Sequence, residues 1–216
     1  MDDRQAEREQ MVARQLEARD ITDVNVLAAM RKVPRHCFVP ERLADAAYDD
    51  CPLPIGHGAT ISQPYIVALV AQLAAIRPGD RVLDIGSGSG YQAAVLAAMG
   101  AEVYGVELVP ALTQQAIARL RRLGIQNVQL RSGQGQAGWP EVAPFRAILV
   151  AAAAPTIPPA LREQLDLGGR LILPVGGSDG QTLQLVVRTP EGCSERSITS
   201  VAFVPLRDSA IDEQVA

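Results

Sequence analysis

Apolar positions fall into two regimes along this chain. Up to about residue 31 they recur at helical spacing: Met11, Leu16, Ile21, Val26, Leu27 and Met30 predict helix over 4–31, broken near 20–23, where Thr22 or Asp23 is placed to cap a second helix. Pro34 and Pro40 then interrupt regular structure, and residues 51–63, rich in Gly and Pro, read as a loop. Pro64 suits the first turn of a further helix, with Ile66, Val67, Leu69, Val70 and Leu73 as its apolar face. From Pro78 onward short apolar blocks alternate with helical ones. Strands are predicted at 81–85, 102–106, 128–131, 147–151 and 170–175, separated by helices at 91–99, 110–123 (closed by Gly124) and 158–165. Blocks at 183–188 and 198–204 read as a terminal antiparallel pair.

Such alternation buries a sheet between helices, so the expected fold class is α/β: a doubly wound, mostly parallel, seven-stranded sheet with an N-terminal helical addition. The chain has 216 residues and shows no internal repeat or long linker. That length suits a single domain, divided into an N-terminal addition over 1–63, a cofactor-binding core over 64–206 and a tail over 207–216. A net charge of −4 provides no basic face for nucleic acid or an anionic membrane, and neither is expected as a partner. No apolar run reaches the roughly 18 residues of a membrane-spanning helix. The first ten residues are dominated by charge rather than by the apolar stretch of a secretory signal, which points to the cytoplasm. Cys37, Cys51 and Cys193 are widely spaced, and the histidines are His36 and His57, so free thiols and no metal site are expected.

The stretch Asp84-Ile85-Gly86-Ser87-Gly88-Ser89-Gly90-Tyr91 follows a predicted strand and opens a predicted helix, the setting in which a glycine loop binds a ligand. Its spacing is G-x-G-x-G. Tyr91 occupies the place where the dinucleotide fingerprint requires a third glycine, which disfavours a nicotinamide cofactor. Glu107 stands at the end of the second predicted strand, where a carboxylate can accept hydrogen bonds from both hydroxyls of a ribose. Two readings remain open on these residues: a nucleoside-bearing cofactor, or a tight turn followed by a solvated acid.

The segment 84–90 resembles the first signature motif of the Rossmann-like class I S-adenosylmethionine methyltransferases. Further segments resemble the protein-L-isoaspartate O-methyltransferase family: Cys51-Pro52-Leu53-Pro54-Ile55-Gly56-His57-Gly58, Thr60-Ile61-Ser62-Gln63-Pro64-Tyr65, Gly90-Tyr91-Gln92-Ala93-Ala94, Gly138-Trp139-Pro140, Ala152-Ala153-Ala154-Pro155 and Phe203-Val204-Pro205-Leu206. The likeness runs over about 8–206. It implies S-adenosyl-L-methionine as cofactor and, as acceptor, the free α-carboxyl of L-isoaspartyl residues in damaged proteins and peptides. It further implies cofactor contacts from Asp84, Gly86, Ser87, Gly88, Ser89, Gly90, Glu107, Leu108, Gly133, Gln134 and Gly135, a catalytic Ser62, and a clamp on the substrate main chain from Ile61, Ser62 and Val204. A monomer is expected.

An α-carboxyl has a pKa of roughly 3.3–3.7 and is ionised at neutral pH, so the reaction needs no general base. His57 is therefore read as structural or loop-ordering. Ser62 can orient an acceptor oxygen by donating a hydrogen bond without adding charge; the competing reading is that it caps the helix beginning at Pro64. It is no hydrolase nucleophile, since no G-x-S-x-G elbow surrounds it. Three positions depart from the family pattern. Gln134 replaces the acid that helps hold the adenine amino group, Arg146 stands where an acid is common, and Leu108 where a basic residue is usual. Two other functions stay open: a methyltransferase of the same fold acting on another carboxylate or a small molecule, and a non-catalytic module that binds peptide ends.

Overall fold

The computed structural model describes residues 4–208. Its N-terminal part is helical, as the periodicity predicts: α1 (Gln5–Met11) runs into a π-helical stretch, Val12–Glu17, and α2 (Val24–Lys32) follows. Of the two candidate caps it is Asp23 that serves, its carboxylate accepting from the amides of Asn25 at 2.8 Å and Val26 at 3.2 Å. The region 51–63 differs from expectation. It holds an antiparallel hairpin of β1 (Leu53–Gly56) and β2 (Ala59–Ile61), with the turn at Gly56, His57 and Gly58 all at positive φ. A two-strand element this short gives too few alternating positions to be separated from a Gly/Pro loop by pattern. The helix α3 (Pro64–Ala74) starts at Pro64 as predicted.

Beyond Pro78 the chain builds β3 (Arg81–Ile85), α4 (Tyr91–Ala98), β4 (Glu102–Glu107), α5 (Pro110–Arg122), β5 (Val128–Ser132), β6 (Phe145–Val150), α6 (Pro159–Glu163), β7 (Leu165–Gly177), β8 (Gly180–Thr189) and β9 (Gly192–Val201). The expected seven-stranded sheet is present, in the order β5-β4-β3-β6-β7-β8-β9. Pairing is parallel from β5 to β7 and antiparallel from β7 to β9. The terminal pair is longer and earlier than its apolar blocks suggested: β9 ends at Val201, and 202–206 leave the sheet edge to cross its end. Leu167 and the whole outer strand β9 are largely exposed, so hydrophobic alternation marks their limits poorly.

Strand alternation divides the core in two. On β3, Val82 packs with the helices α2, α3 and α4, while Leu83 and Ile85 face the opposite layer with Phe145, Ile148 and Leu161. The N-terminal addition is part of the first layer: Met11, Leu16, Met30 and Phe38 share it with Tyr91 and Leu96. Two buried guanidinium groups brace the addition, and one of them reaches the core. Arg8 donates to the carbonyl of Arg31, and Arg35, fully buried, donates to the carbonyl of Ala47 at 2.7 Å and stacks over the Tyr91 ring at 5.0 Å. Among the described residues no helix is long and apolar enough to cross a membrane. The tail expected over 207–216 falls mostly outside the described residues.

Candidate active site

Sheet order locates the site before any side chain does. From β3 the chain steps outward to β4 and β5, then returns to the other side of β3 as β6. The crevice outside the carboxyl ends of β3, β4 and β6 is thus the topological switch point of an open α/β sheet, where ligands bind. Ile85, Gly86, Gly88, Glu107, Leu108, Ala151 and Gly135 line an open cleft there.

The glycine turn is held from below. The Gly86 amide donates to the Val106 carbonyl at 2.8 Å, the Gly90 amide to the Ser87 carbonyl at 2.8 Å, and the Ser87 hydroxyl to the Asp84 carbonyl at 3.0 Å. Gly88 shows why the motif is glycine: at φ +51° a Cβ there would lie 3.1 Å from Cδ1 of Ile55, in the hairpin that closes over the turn. Glu107 is buried beside it. One carboxylate oxygen accepts from the Gly88 amide at 2.8 Å, the other from the Val109 amide at 2.9 Å. Each oxygen keeps a further lone pair for an outside donor. Asp84 is wholly buried; the Gln92 amide donates to Oδ1 at 2.7 Å, and Oδ2 has no partner among the described residues. Burial pushes its carboxyl up to about 6, against the opposing pull of the Gln92 amide. A backbone cradle without side chains, a strand-end carboxylate with free lone pairs and an orphaned buried oxygen together fit a ribose-bearing, positively charged ligand.

A second cleft opens beside the first. Its walls are Pro52, Thr60, Ser62, Gln63 and Ile66 from the hairpin and the start of α3, Ala151 from the end of β6, and residues 200–204. Among the described residues no ionisable side chain lines it. A narrow groove along the glycine turn, bordered by Ile61, Ser62, Gly86, Ser87, Gly88 and Ser89, joins the two. Thr60 and Ala151 border all three spaces, and Ser62 sits at the junction of groove and second cleft. The hydroxyl of Ser62 makes no hydrogen bond to the first turn of α3, whose N-terminus carries no side-chain cap. The capping alternative thus has no geometric support.

The wall at 200–204 depends on contacts that sequence could not announce. Gln181 on β8 holds Phe203 at both ends, donating to its carbonyl at 3.0 Å and accepting from its amide at 2.7 Å. The Ala153 amide donates to the Val204 carbonyl at 2.8 Å. Val204, partly exposed, borders both clefts, and its N–H has no partner among the described residues. Of the sequence-predicted residues, Gly86, Gly88, Glu107, Leu108 and Gly135 meet in the first cleft, Ser87, Ser89 and Ile61 border the groove, and Asp84 and Gly90 brace the turn from beneath. Gly133 and Gln134 do not line the cleft. Gly133 donates to the Glu107 carbonyl at 2.9 Å, and the exposed Gln134 side chain turns to the C-terminal segment, donating to the Asp208 carbonyl at 2.9 Å. Thr60, Gln63, Ala151 and Phe203 went unassigned in the sequence: the first three carry no periodic signal, and Phe203 fell inside a predicted strand. Among the described residues no group of three or more His, Cys, Asp and Glu side chains gathers to hold a metal ion.

Strand order, switch-point crevice and glycine turn define a Rossmann-like class I methyltransferase fold. Residues 6–211 match the family model of protein-L-isoaspartate(D-aspartate) O-methyltransferase. The chain belongs to that family. A protein-L-isoaspartate O-methyltransferase of Methylorubrum extorquens is 57% identical over 205 residues, covering 94% of this chain and 90% of the relative. Another, of Opitutus terrae, is 56% identical over 200 residues, covering 92% and 86%. Among solved structures, a protein-L-isoaspartate O-methyltransferase of Plasmodium falciparum in complex with S-adenosyl-L-homocysteine superposes with a TM-score of 0.81 at 28% identity, covering 94% of this chain and 99% of the other.

Proposed function

We propose that the protein uses S-adenosyl-L-methionine to methylate the free α-carboxyl of L-isoaspartyl residues in damaged proteins and peptides. The observation that carries this reading is the position of Ser62 between the groove along the glycine turn and a second cleft that, among the described residues, no ionisable group lines.

When bound, S-adenosyl-L-methionine supplies a methyl group on a positively charged sulfur. Glu107 would hold the ribose through its spare lone pairs, and the turn at Gly86, Gly88 and Gly90 would lie against the ligand without a side chain between. The acceptor is a carboxylate already ionised at neutral pH, so no residue has to take a proton from it. Opposite charges cancel as such a reaction proceeds, so the residues around it serve best by orienting the carboxylate and keeping water away. Neutral walls do this without pairing the acceptor into an unreactive ion pair. Ser62 is the donor placed to orient the attacking oxygen, and the amide of Val204 together with the backbone at Ile61 and Ser62 would clamp the peptide main chain. Main-chain recognition leaves flanking side chains unread, as repair of damage at arbitrary sites requires. The chain acts in this reading as one cytoplasmic, monomeric unit, with the hairpin at 53–61 closing over the glycine turn.

Initial rates with an isoaspartyl peptide and with its ordinary aspartyl twin test the proposal. Near-total preference for the isoaspartyl form is expected, and equal rates with both would defeat it.

A further inference from the structure

An anion bound in the second cleft finds no cation among the described residues: Thr60, Ser62, Gln63 and Ser200 are the polar residues on its walls, all uncharged. A carboxylate presents two oxygens and about four acceptor sites, whereas the Ser62 hydroxyl offers a single proton. Gln63 is the next residue, at the entry to α3, with its carbonyl accepting from the Val67 amide at 3.2 Å. Its carboxamide makes no hydrogen bond to another described residue, neither to the helix it precedes nor across the cleft. Ser62 and Gln63 border the same space. They differ in one respect. Ser62 also borders the groove along the glycine turn, while Gln63 borders the second cleft alone.

From this placement we infer that Gln63 is the second neutral donor to the acceptor carboxylate, gripping the oxygen that does not react while Ser62 orients the one that does. The assignment rests on the carboxylate acceptor proposed above and adds a residue that sets acceptor affinity. A carboxamide suits the task because its two N–H groups bind an anion without neutralising it.

Full-length protein carrying Gln63→Met keeps the shape of the side chain and loses both donors; Gln63→Glu keeps the shape and sets a negative charge beside the bound anion. Steady-state kinetics with an isoaspartyl peptide should show KM raised about tenfold in Gln63→Met and about a hundredfold in Gln63→Glu, in line with loss of a hydrogen bond to a charged group and with added repulsion. The kcat of Gln63→Met should stay within about threefold, because a binding contact held equally throughout the reaction alters KM alone. Calorimetry with S-adenosyl-L-homocysteine should give the wild-type Kd for both variants. Wild-type turnover with unchanged KM in both variants overturns the assignment alone. A parallel loss of S-adenosyl-L-homocysteine affinity also overturns it, since Gln63 would then act through the fold. Wild-type protein that leaves the isoaspartyl peptide unmethylated removes the functional reading and the assignment with it.

Discussion

At the scale of single residues, the site rests on carboxylates and hydroxyls whose surroundings give them unlike tasks. Glu107 is fixed by two backbone amides and still has lone pairs to offer. Replacing it with Ala removes a charged acceptor, and S-adenosyl-L-homocysteine affinity measured by calorimetry should fall by about 1.5–3 kcal/mol. Ser62→Ala should act the other way, lowering kcat at least about tenfold while leaving that affinity in place; an unchanged kcat would remove Ser62 from the chemistry. Asp84 bears on stability. Its folded carboxyl is raised to about 6 by burial, so the fold favours its protonated form. The resulting stabilisation is complete below the unfolded carboxyl value, about 3.9, and is lost as pH rises through about 6. Urea denaturation of the ligand-free protein and of Asp84→Asn should therefore diverge across this window. The wild type should lose roughly 2–3 kcal/mol relative to the variant between pH 4 and pH 7, and parallel pH profiles would contradict the assignment.

Elements bring these residues together by touching where glycine leaves no side chain. Gly105 in the middle of β4 is the sharpest case. A Cβ there would lie 2.3 Å from Cδ2 of Leu130 on β5 and 2.4 Å from Oγ of Ser87, whose hydroxyl ties the glycine turn to the Asp84 carbonyl. Gly105→Ala should therefore cost about 1–3 kcal/mol of stability by overpacking and weaken cofactor binding by disturbing Ser87; a thermal melt and a titration with S-adenosyl-L-homocysteine check both. The hairpin β1–β2 works in the same way from above, bringing Ile55 against Gly88 and setting Thr60, Ile61 and Ser62 along the groove. The strands and helices from Pro78 onward were legible because β3, β4 and β6 are buried on both faces and α5 is amphipathic. The hairpin was not. Its role depends on a partner some thirty residues away, and a segment of nine residues cannot show that by spacing.

For the molecule as a whole, the N-terminal addition is continuous with the core that carries the site. Phe38 is fully buried and meets the ring of Tyr91 edge-on, with centroids 5.4 Å apart, at the first residue of the helix that the glycine turn opens. Phe38→Ala should cost about 3–5 kcal/mol in denaturant unfolding. Methyltransferase activity should decline with the folded fraction rather than through a specific loss of kcat. A cost under about 1 kcal/mol would show that the addition is docked on the core rather than built into it.

The amino-acid order alone determined the α/β layering, the helical addition, the glycine turn with its acid on the following strand, and the family likeness, because each is written in short-range spacing that burial and backbone conformation enforce locally. Tertiary structure decided the rest. It chose Asp23 over Thr22 as cap, turned Gln134 toward Asp208 instead of the cleft, and placed Ala151, Gln63 and Phe203 around Ser62. The last two outcomes depend on contacts between segments far apart in the chain, such as Gln181 with Phe203 and Ala153 with Val204, and no local pattern encodes which distant backbone a polar group will meet.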